Sequence, residues 1–199
     1  KNWIARQFSD PYTKLAKQKG YRSRSAFKLI EINKKFKFLK NNLNILDLGS
    51  APGGWSQVCS EINKNGKNLS IDILDMDKID NIFFYKKDFN ELDFLDFVNN
   101  FFALNKVDIV LSDMAVNTTG NKDLDAMKTN SIALDVVNLS KVILKPKSSL
   151  LVKIFSGKDE NILIKNAKDS FKIIERIKPD SSRKESREMY LLCRDLKTI

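Results

Sequence analysis

The segment Asn44-Ile-Leu-Asp-Leu-Gly-Ser-Ala-Pro-Gly-Gly-Trp-Ser-Gln57 constrains the fold more than any other part of the chain. Ile45 to Leu48 read as a short buried strand. A turn rich in glycine, alanine and proline follows, and a helix opens at Gly53-Gly54-Trp55. A strand that ends in small residues and leads into a helix is where open α/β sheets place a ligand, beyond the carboxyl end of the strand. Gly49, Gly53 and Gly54 let the backbone approach that ligand, because no Cβ intervenes. The spacing is not G-x-G-x-x-G, and the lysine and Ser/Thr of a P-loop are missing, so dinucleotides and nucleoside triphosphates are disfavoured. Asp47, near the strand's end, offers a carboxylate to a cationic ligand group. Asp72, in Leu69-Ser-Ile-Asp-Ile-Leu74, ends a second strand, where an acidic residue holds ribose hydroxyls. A cationic amino-acid end and a ribose, both met by carboxylates, describe S-adenosylmethionine better than NAD.

From Asn44 onward, strand and helix patterns alternate. Strands are expected at 44–48, 68–73, 82–87, 107–112, 149–155, 171–177 and 189–194, and helices at 54–63, 91–101, 130–144 and 159–169, with Lys145-Pro146 stopping the third. This alternation predicts an α/β, Rossmann-like fold, with a mostly parallel seven-stranded sheet covered on both faces, over residues 44–199. Residues 1–43 differ in charge, with Arg6, Lys14, Lys17, Lys19, Arg22, Arg24, Lys28 and four further lysines against few acids. One helix is expected among them, Ser25–Phe36, with Ala26, Leu29, Ile30 and Phe36 on one stripe. The organisation read here is a single structural unit with a basic N-terminal extension.

With 35 Lys and Arg against 25 Asp and Glu, the net charge of +10 favours a polyanionic partner, nucleic acid before an acidic membrane surface. A lysine-rich composition of genetic origin is the alternative. No apolar run approaches the ~18 residues of a membrane span, so no membrane partner is expected. Cys59 and Cys193 are too few and too far apart for a disulfide framework or a zinc site, which points to a reducing compartment. The chain begins at Lys1 rather than Met, so its targeting is left open. Histidine is absent, which excludes Ser-His and Cys-His catalysis and leaves proton chemistry to Lys, Asp, Glu or Tyr.

Three further segments carry candidate chemistry. Val107-Asp-Ile-Val-Leu-Ser-Asp113 reads as a buried strand that delivers Asp113 to the same crevice as the glycine turn; a turn-capping role is the alternative. Lys153 stands inside the apolar strand Ser149–Phe155, where an unpaired ammonium costs several kcal/mol. It is either partnered and functional, or it snorkels at the strand's end. Glu188 begins a last strand, and Asp88 ends the third, within reach of an adenine amino group; alone, each also reads as a surface acid.

Taken together these motifs resemble the FtsJ/RrmJ family of S-adenosylmethionine-dependent RNA 2′-O-ribose methyltransferases over nearly the whole chain. The resemblance is carried by Phe8-Ser-Asp10 with Tyr12, Gly20-Tyr-Arg-Ser-Arg-Ser-Ala-Phe-Lys-Leu29, Leu46 to Gln57, Ser112-Asp-Met-Ala115 with Asn117, Val152-Lys-Ile-Phe155 with Gly157, and Lys178-Pro-Asp-Ser-Ser-Arg183 leading to Ser186-Arg-Glu-Met-Tyr190. It implies a catalytic tetrad of Lys28, Asp113, Lys153 and Glu188, and cofactor contacts at Gly53, Trp55, Asp72, Asp88 and Asp113. It implies S-adenosylmethionine as the cofactor, with S-adenosylhomocysteine as product and no metal. The substrate implied is RNA, with large-subunit ribosomal RNA ahead of tRNA, and a monomeric enzyme is expected; Arg22, Arg24, Lys17 and Lys19 of the basic extension are read as phosphate contacts, a solvated face being the alternative. Lys153 is expected to act as base or to orient the 2′-oxygen: burial and Lys28 favour its neutral form, while Asp113 and Glu188 favour the charged one. Val116 stands where bacterial members usually have proline, which predicts a looser loop after Asp113. A non-catalytic RNA-binding assembly factor and a small-molecule methyltransferase are the competing functions.

Overall fold

The computed structural model describes residues 10–197, so Arg6, Phe8 and Ser9 lie outside the described residues. Seven strands form one sheet: β1 Asn44–Leu48, β2 Lys67–Asp72, β3 Phe83–Lys86, β4 Val107–Ser112, β5 Leu144–Phe155, β6 Phe171–Ile177 and β7 Glu188–Leu196. Their order is β3-β2-β1-β4-β5-β7-β6. β1 to β5 pair in parallel, and β7 runs antiparallel between β5 and β6. The expected mostly parallel seven-stranded sheet is what forms. The direction in which successive strands are added across the sheet reverses between the parallel neighbours β1 and β4, and such a switch point opens a crevice at the carboxyl ends of the two strands.

Among the described residues, six helices accompany the sheet: α1 Pro11–Lys19, α2 Ser25–Phe36, α3 Gly54–Ile62, α4 Phe94–Phe101, α5 Lys122–Ile143 and α6 Glu160–Ser170. Phe94, Val98, Val136, Val137 and Leu163 of α4, α5 and α6 pack on one face. Ala26, Leu29, Ile32, Trp55 and Val58 of α2 and α3 pack on the other. Helices on both faces explain why β1 and β4 are apolar almost continuously rather than alternately. Leu29 is fully buried in the same cluster as Ile45 and Leu111, so charge changes at residue 43 while the core runs on across it. Truncating Leu29 to alanine would cost about 2–5 kcal/mol.

Three local differences from the sequence expectation have physical causes. α1 has one buried residue, Ala16, and no apolar stripe to reveal it. It is fixed by its ends instead: Asp10 Oδ1 accepts from Tyr12 N and Thr13 N, and Gly20 closes it at φ +75°. α5 starts at Lys122, well before Asn130, because Asn121 Oδ1 caps it through Asp123 N and Leu124 N. Pro146 is not its stop. The helix ends at Ile143, and the chain enters β5 directly at Leu144. Pro146 falls in a bulge there, since Val107 pairs with Leu144 but Ile109 pairs with Ser149.

Candidate active site

Period-two alternation assembles the site. Ile45, Ile109, Leu111, Leu151, Tyr190 and Leu192 all lie on the face covered by α2 and α3. Two residues further toward the carboxyl ends of β1, β4 and β5, that same face presents Asp47, Asp113 and Lys153. Across the β5–β7 ladder, Lys153 pairs with Tyr190 and Phe155 with Glu188, so Glu188 sits diagonally beside Lys153. Helix α2 lowers Lys28 onto the group from above.

The four side chains form an alternating chain of charge. Lys28 Nζ lies 2.7 Å from Glu188 Oε1 and 2.8 Å from Oε2. Lys153 Nζ lies 3.6 Å from Glu188 Oε2 and 2.8 Å from Asp113 Oδ1, and it donates to the Asp113 carbonyl at 2.8 Å. Lys28, Lys153 and Glu188 are each 8–9% exposed. Ions so deeply placed are tolerable only because every charge has a partner and the remaining lone pairs are occupied. Ser182 Oγ donates to Glu188 Oε1 at 2.8 Å, and Tyr190 Oη donates to Asp113 Oδ1 at 2.5 Å. Ser182 and Tyr190 were not singled out as site residues. Tyr190 was legible, because it is two residues from Glu188 and therefore on the same face.

Burial pushes the Glu188 carboxyl up, but the ammonium groups of Lys28 and Lys153 outweigh it and hold the group at about 2. Burial also pushes Lys153 down, and Asp113 and Glu188 outweigh that, so its pKa is raised above the usual lysine value. The balance left open by the sequence falls on the side of the carboxylates, and Lys153 is an ammonium. Burial first, then Asp113, pushes the Tyr190 hydroxyl well above its ordinary range and keeps it a donor.

The loop after Asp113 is fastened despite Val116. Thr119 donates to Asp125 Oδ1 from its amide at 2.9 Å and its hydroxyl at 2.7 Å. Val116 N donates to Thr129 Oγ1 at 3.4 Å. Side chains of α5 thus do the work that a proline's fixed φ would do.

Next to the tetrad lies the glycine turn. Gly49 and Gly53 adopt φ +71° and +111°. A Cβ on Gly49 would stand 2.0 Å from Met114 Cγ, and one on Gly53 would stand 2.7 Å from Ile79 Cδ1. Gly53 caps α3 without any side-chain hydrogen bond, which leaves the first amides of Gly54 and its successors to another acceptor. Asp72, half-buried at the end of β2, accepts from Ala51 N and Leu74 N at 2.8 Å each. Asp88 follows β3 and accepts from Asn90 N and Nδ2 at 2.9 Å.

Two of the expected cofactor contacts sit deeper than that role needs. Asp47 is 2% exposed and accepts from Ser56 Oγ at 2.7 Å; burial first, then Asp113 and Asp72, raises its carboxyl to about 7. It underlies the turn, with its carboxylate buried against Ser56. Trp55 is also buried, its indole Nε1 donating to Ser25 O at 2.8 Å and its ring 5.7 Å from that of Tyr190. Its side chain braces α2 against the tetrad, and only its backbone is left for a ligand.

Comparison with known proteins gives this geometry a family. Residues 21–196 match the FtsJ-like methyltransferases. The chain belongs to that family. It is 44% identical, over 99% of its length and 97% of the relative's, to the "Ribosomal RNA large subunit methyltransferase E" of Pelagibacter ubique, strain HTCC1062. A crystal structure described as a ribosomal RNA methyltransferase from Plasmodium falciparum superposes with a TM-score of 0.78 at 34% identity, over 88% of this chain and 98% of that one. Human methyltransferase-like protein 13, solved in complex with SAH, shares the fold at a TM-score of 0.60 and 14% identity, covering 84% and 86% of the two chains.

In this FtsJ-like chain the four basic residues read as RNA contacts separate into two pairs. Arg22 donates to Pro52 O at 3.2 Å, Asp77 O at 2.7 Å and Lys78 O at 2.8 Å, tying the turn before Gly53 to the loop after β2. Arg24 pairs with Asp10, donates to the Ser181 carbonyl and lies over the Tyr12 ring at 5.8 Å. Both guanidinium groups are engaged within the protein rather than presented to phosphates. Lys17 and Lys19 are exposed on the last turn of α1.

Proposed function

We propose that this protein transfers a methyl group from S-adenosylmethionine to a ribose 2′-oxygen of large-subunit ribosomal RNA. The observation that carries this reading is the buried Lys28–Glu188–Lys153–Asp113 chain beside an uncapped helix start and two strand-end carboxylates. The near full-length similarity to a protein named for large-subunit ribosomal RNA supports the choice of RNA.

The site's donors and acceptors fit the cofactor. The amides that open α3 suit its carboxylate, Asp72 its ribose hydroxyls, and Asp88 the amino edge of its adenine. S-adenosylmethionine supplies an electrophilic methyl on a cationic sulfonium that leaves as a neutral thioether. Lys153, fixed by Asp113 and Glu188, donates a hydrogen bond to the 2′-oxygen and so orients it for in-line attack. As the new O–C bond forms, the hydroxyl proton becomes strongly acidic, and the Asp113 carboxylate, which contacts Lys153 directly, is the acceptor this reading assigns to it. Lys28 and Ser182 hold Glu188, which in turn holds Lys153. Lys17 and Lys19 supply phosphate contacts.

The test is transfer of labelled methyl groups to large-subunit RNA, mapped by resistance to alkaline cleavage, which requires a free 2′-hydroxyl. One protected position is expected. Label in tRNA alone would replace the substrate; no transfer to RNA or to assembled subunits would leave a binding factor.

A further inference from the structure

The end of the sheet away from the tetrad carries a groove of about 450 Å³. Lys37 and Lys40, the β5 bulge with Lys147, and Arg194 of β7 line it. Both acids in its wall are already matched, Asp108 by Lys145 at 2.9 Å and Asp195 by Lys172 at 3.3 Å. Lys37, Lys40 and Lys147 are exposed, and no carboxylate lies within ion-pair distance of them among the described residues. The Arg194 guanidinium lies over the Phe36 ring at 5.6 Å with Nη2 3.6 Å from Glu175, while its buried Nε has no hydrogen-bond acceptor. The groove therefore keeps a net positive charge, carried by the exposed lysines; the buried Asp195 Oδ1 in the same wall also has no hydrogen-bond donor.

Its shape comes from departures from regular structure. The jump in pairing from Leu144 to Ser149 throws Lys145–Ser148 out of the ladder, and bulges of this kind re-aim side chains. Lys147 at φ +62° and Lys37 at φ +51° are non-glycine residues in the left-handed region, where the surrounding structure must hold them. Along β5, Ser149 and Lys153 are four residues apart, roughly 13 Å at ~3.3 Å per residue. A nucleotide at the tetrad does not reach the groove.

We propose that this rear groove is a second RNA site, taking the phosphate backbone of a separate stretch of a large folded RNA while the acceptor ribose sits at the tetrad. The inference rests on the RNA-methylation reading. Ammonium groups of this kind read charge and spacing rather than sequence, so the groove contributes affinity and placement.

The experiment compares the parent with a triple variant, Lys37→Glu, Lys40→Glu and Lys147→Glu. All three positions are exposed, and the corresponding Gln triple serves as a milder control. Three substrates are used: protein-free full-length large-subunit RNA, assembled subunits, and a short RNA containing the mapped acceptor. KM for full-length RNA should rise at least about tenfold, and the salt slope of its binding should fall by about 2–3. Turnover of the short RNA should be unchanged. An unchanged KM for full-length RNA, or an equal loss on both RNAs, overturns the proposal. So does a loss seen with assembled subunits but not with protein-free RNA, which would assign the groove to a protein. If the parent methylates neither RNA nor assembled subunits, the methylation reading fails, and the salt slope of full-length RNA binding still decides the groove.

Discussion

Asp113 grips Lys153 twice, with its carboxylate Oδ1 and its backbone carbonyl each 2.8 Å from the ammonium nitrogen. A side chain held at two points by one residue has little rotational freedom, and Glu188, at 3.6 Å, is beyond hydrogen-bond reach and leaves the third N–H for the acceptor oxygen. Lys153→Ala removes the donor that orients the acceptor oxygen. We expect kcat to fall by roughly 10²–10⁴, while cofactor affinity stays within about 1 kcal/mol of the parent. Single-turnover transfer and calorimetric titration measure the two quantities. Near-parental turnover in the variant would remove Lys153 from the chemistry.

The charge state of Lys153 has its own signature. Its pKa is raised by Asp113 and Glu188 against the opposing effect of burial, so the ammonium persists through the neutral and mildly alkaline range. Glu188, held at about 2, keeps its charge well into acid. With a cationic Lys153 at work, kcat/KM is flat between about pH 7 and pH 9. A tenfold rise per pH unit across that range would instead mean that a scarce neutral lysine takes the proton.

Asp47 should make stability depend on pH. Folding takes its carboxyl from a usual 3.8 to about 7, mainly through burial. Between about pH 4 and pH 7 the native state therefore binds a proton that the unfolded chain has released, and stability falls as pH rises through that window. Below pH 4 the group contributes nothing, and above 7 the penalty is complete, on the order of 4 kcal/mol. Asp47→Asn keeps an acceptor for Ser56 Oγ without the charge. It should raise the melting temperature at pH 8 and flatten the pH 4–7 slope; parallel curves for parent and variant would contradict the assignment.

Most of the sheet was legible because buried parallel strands announce themselves as short apolar runs, and β1 and β4 fell where those runs lie; the antiparallel edge strand β6 also fell at its expected 171–177. The tetrad was legible one residue at a time: Lys153 as an ammonium in an apolar strand, Asp113 as the polar end of another. What the chain could not reveal were contacts between distant segments that have no periodicity. Ser182 reaches Glu188 from a loop. α1 is defined by Asp10 and Gly20, not by an apolar stripe. The depth of Asp47 depends on α3 folding back over β1, which charge and spacing do not encode.

Arg22 is the clearest case of a charge whose sequence role and structural role differ. Its guanidinium donates to three carbonyls, Pro52 and Asp77 through Nη1 and Lys78 through Nη2. Gly53 follows Pro52, and Met76 and Ile79 of the same loop occupy the space that a Cβ on Gly53 would need, so Arg22 sets the wall of the proposed cofactor site. Arg22→Ala frees that loop. KM for S-adenosylmethionine should rise about tenfold, or ~1.4 kcal/mol, with the salt slope of RNA binding unchanged. Lysine at this position lacks the planar fork and should recover little. The opposite pattern, an unchanged KM for the cofactor with a salt slope reduced by about one, would return Arg22 to the RNA surface.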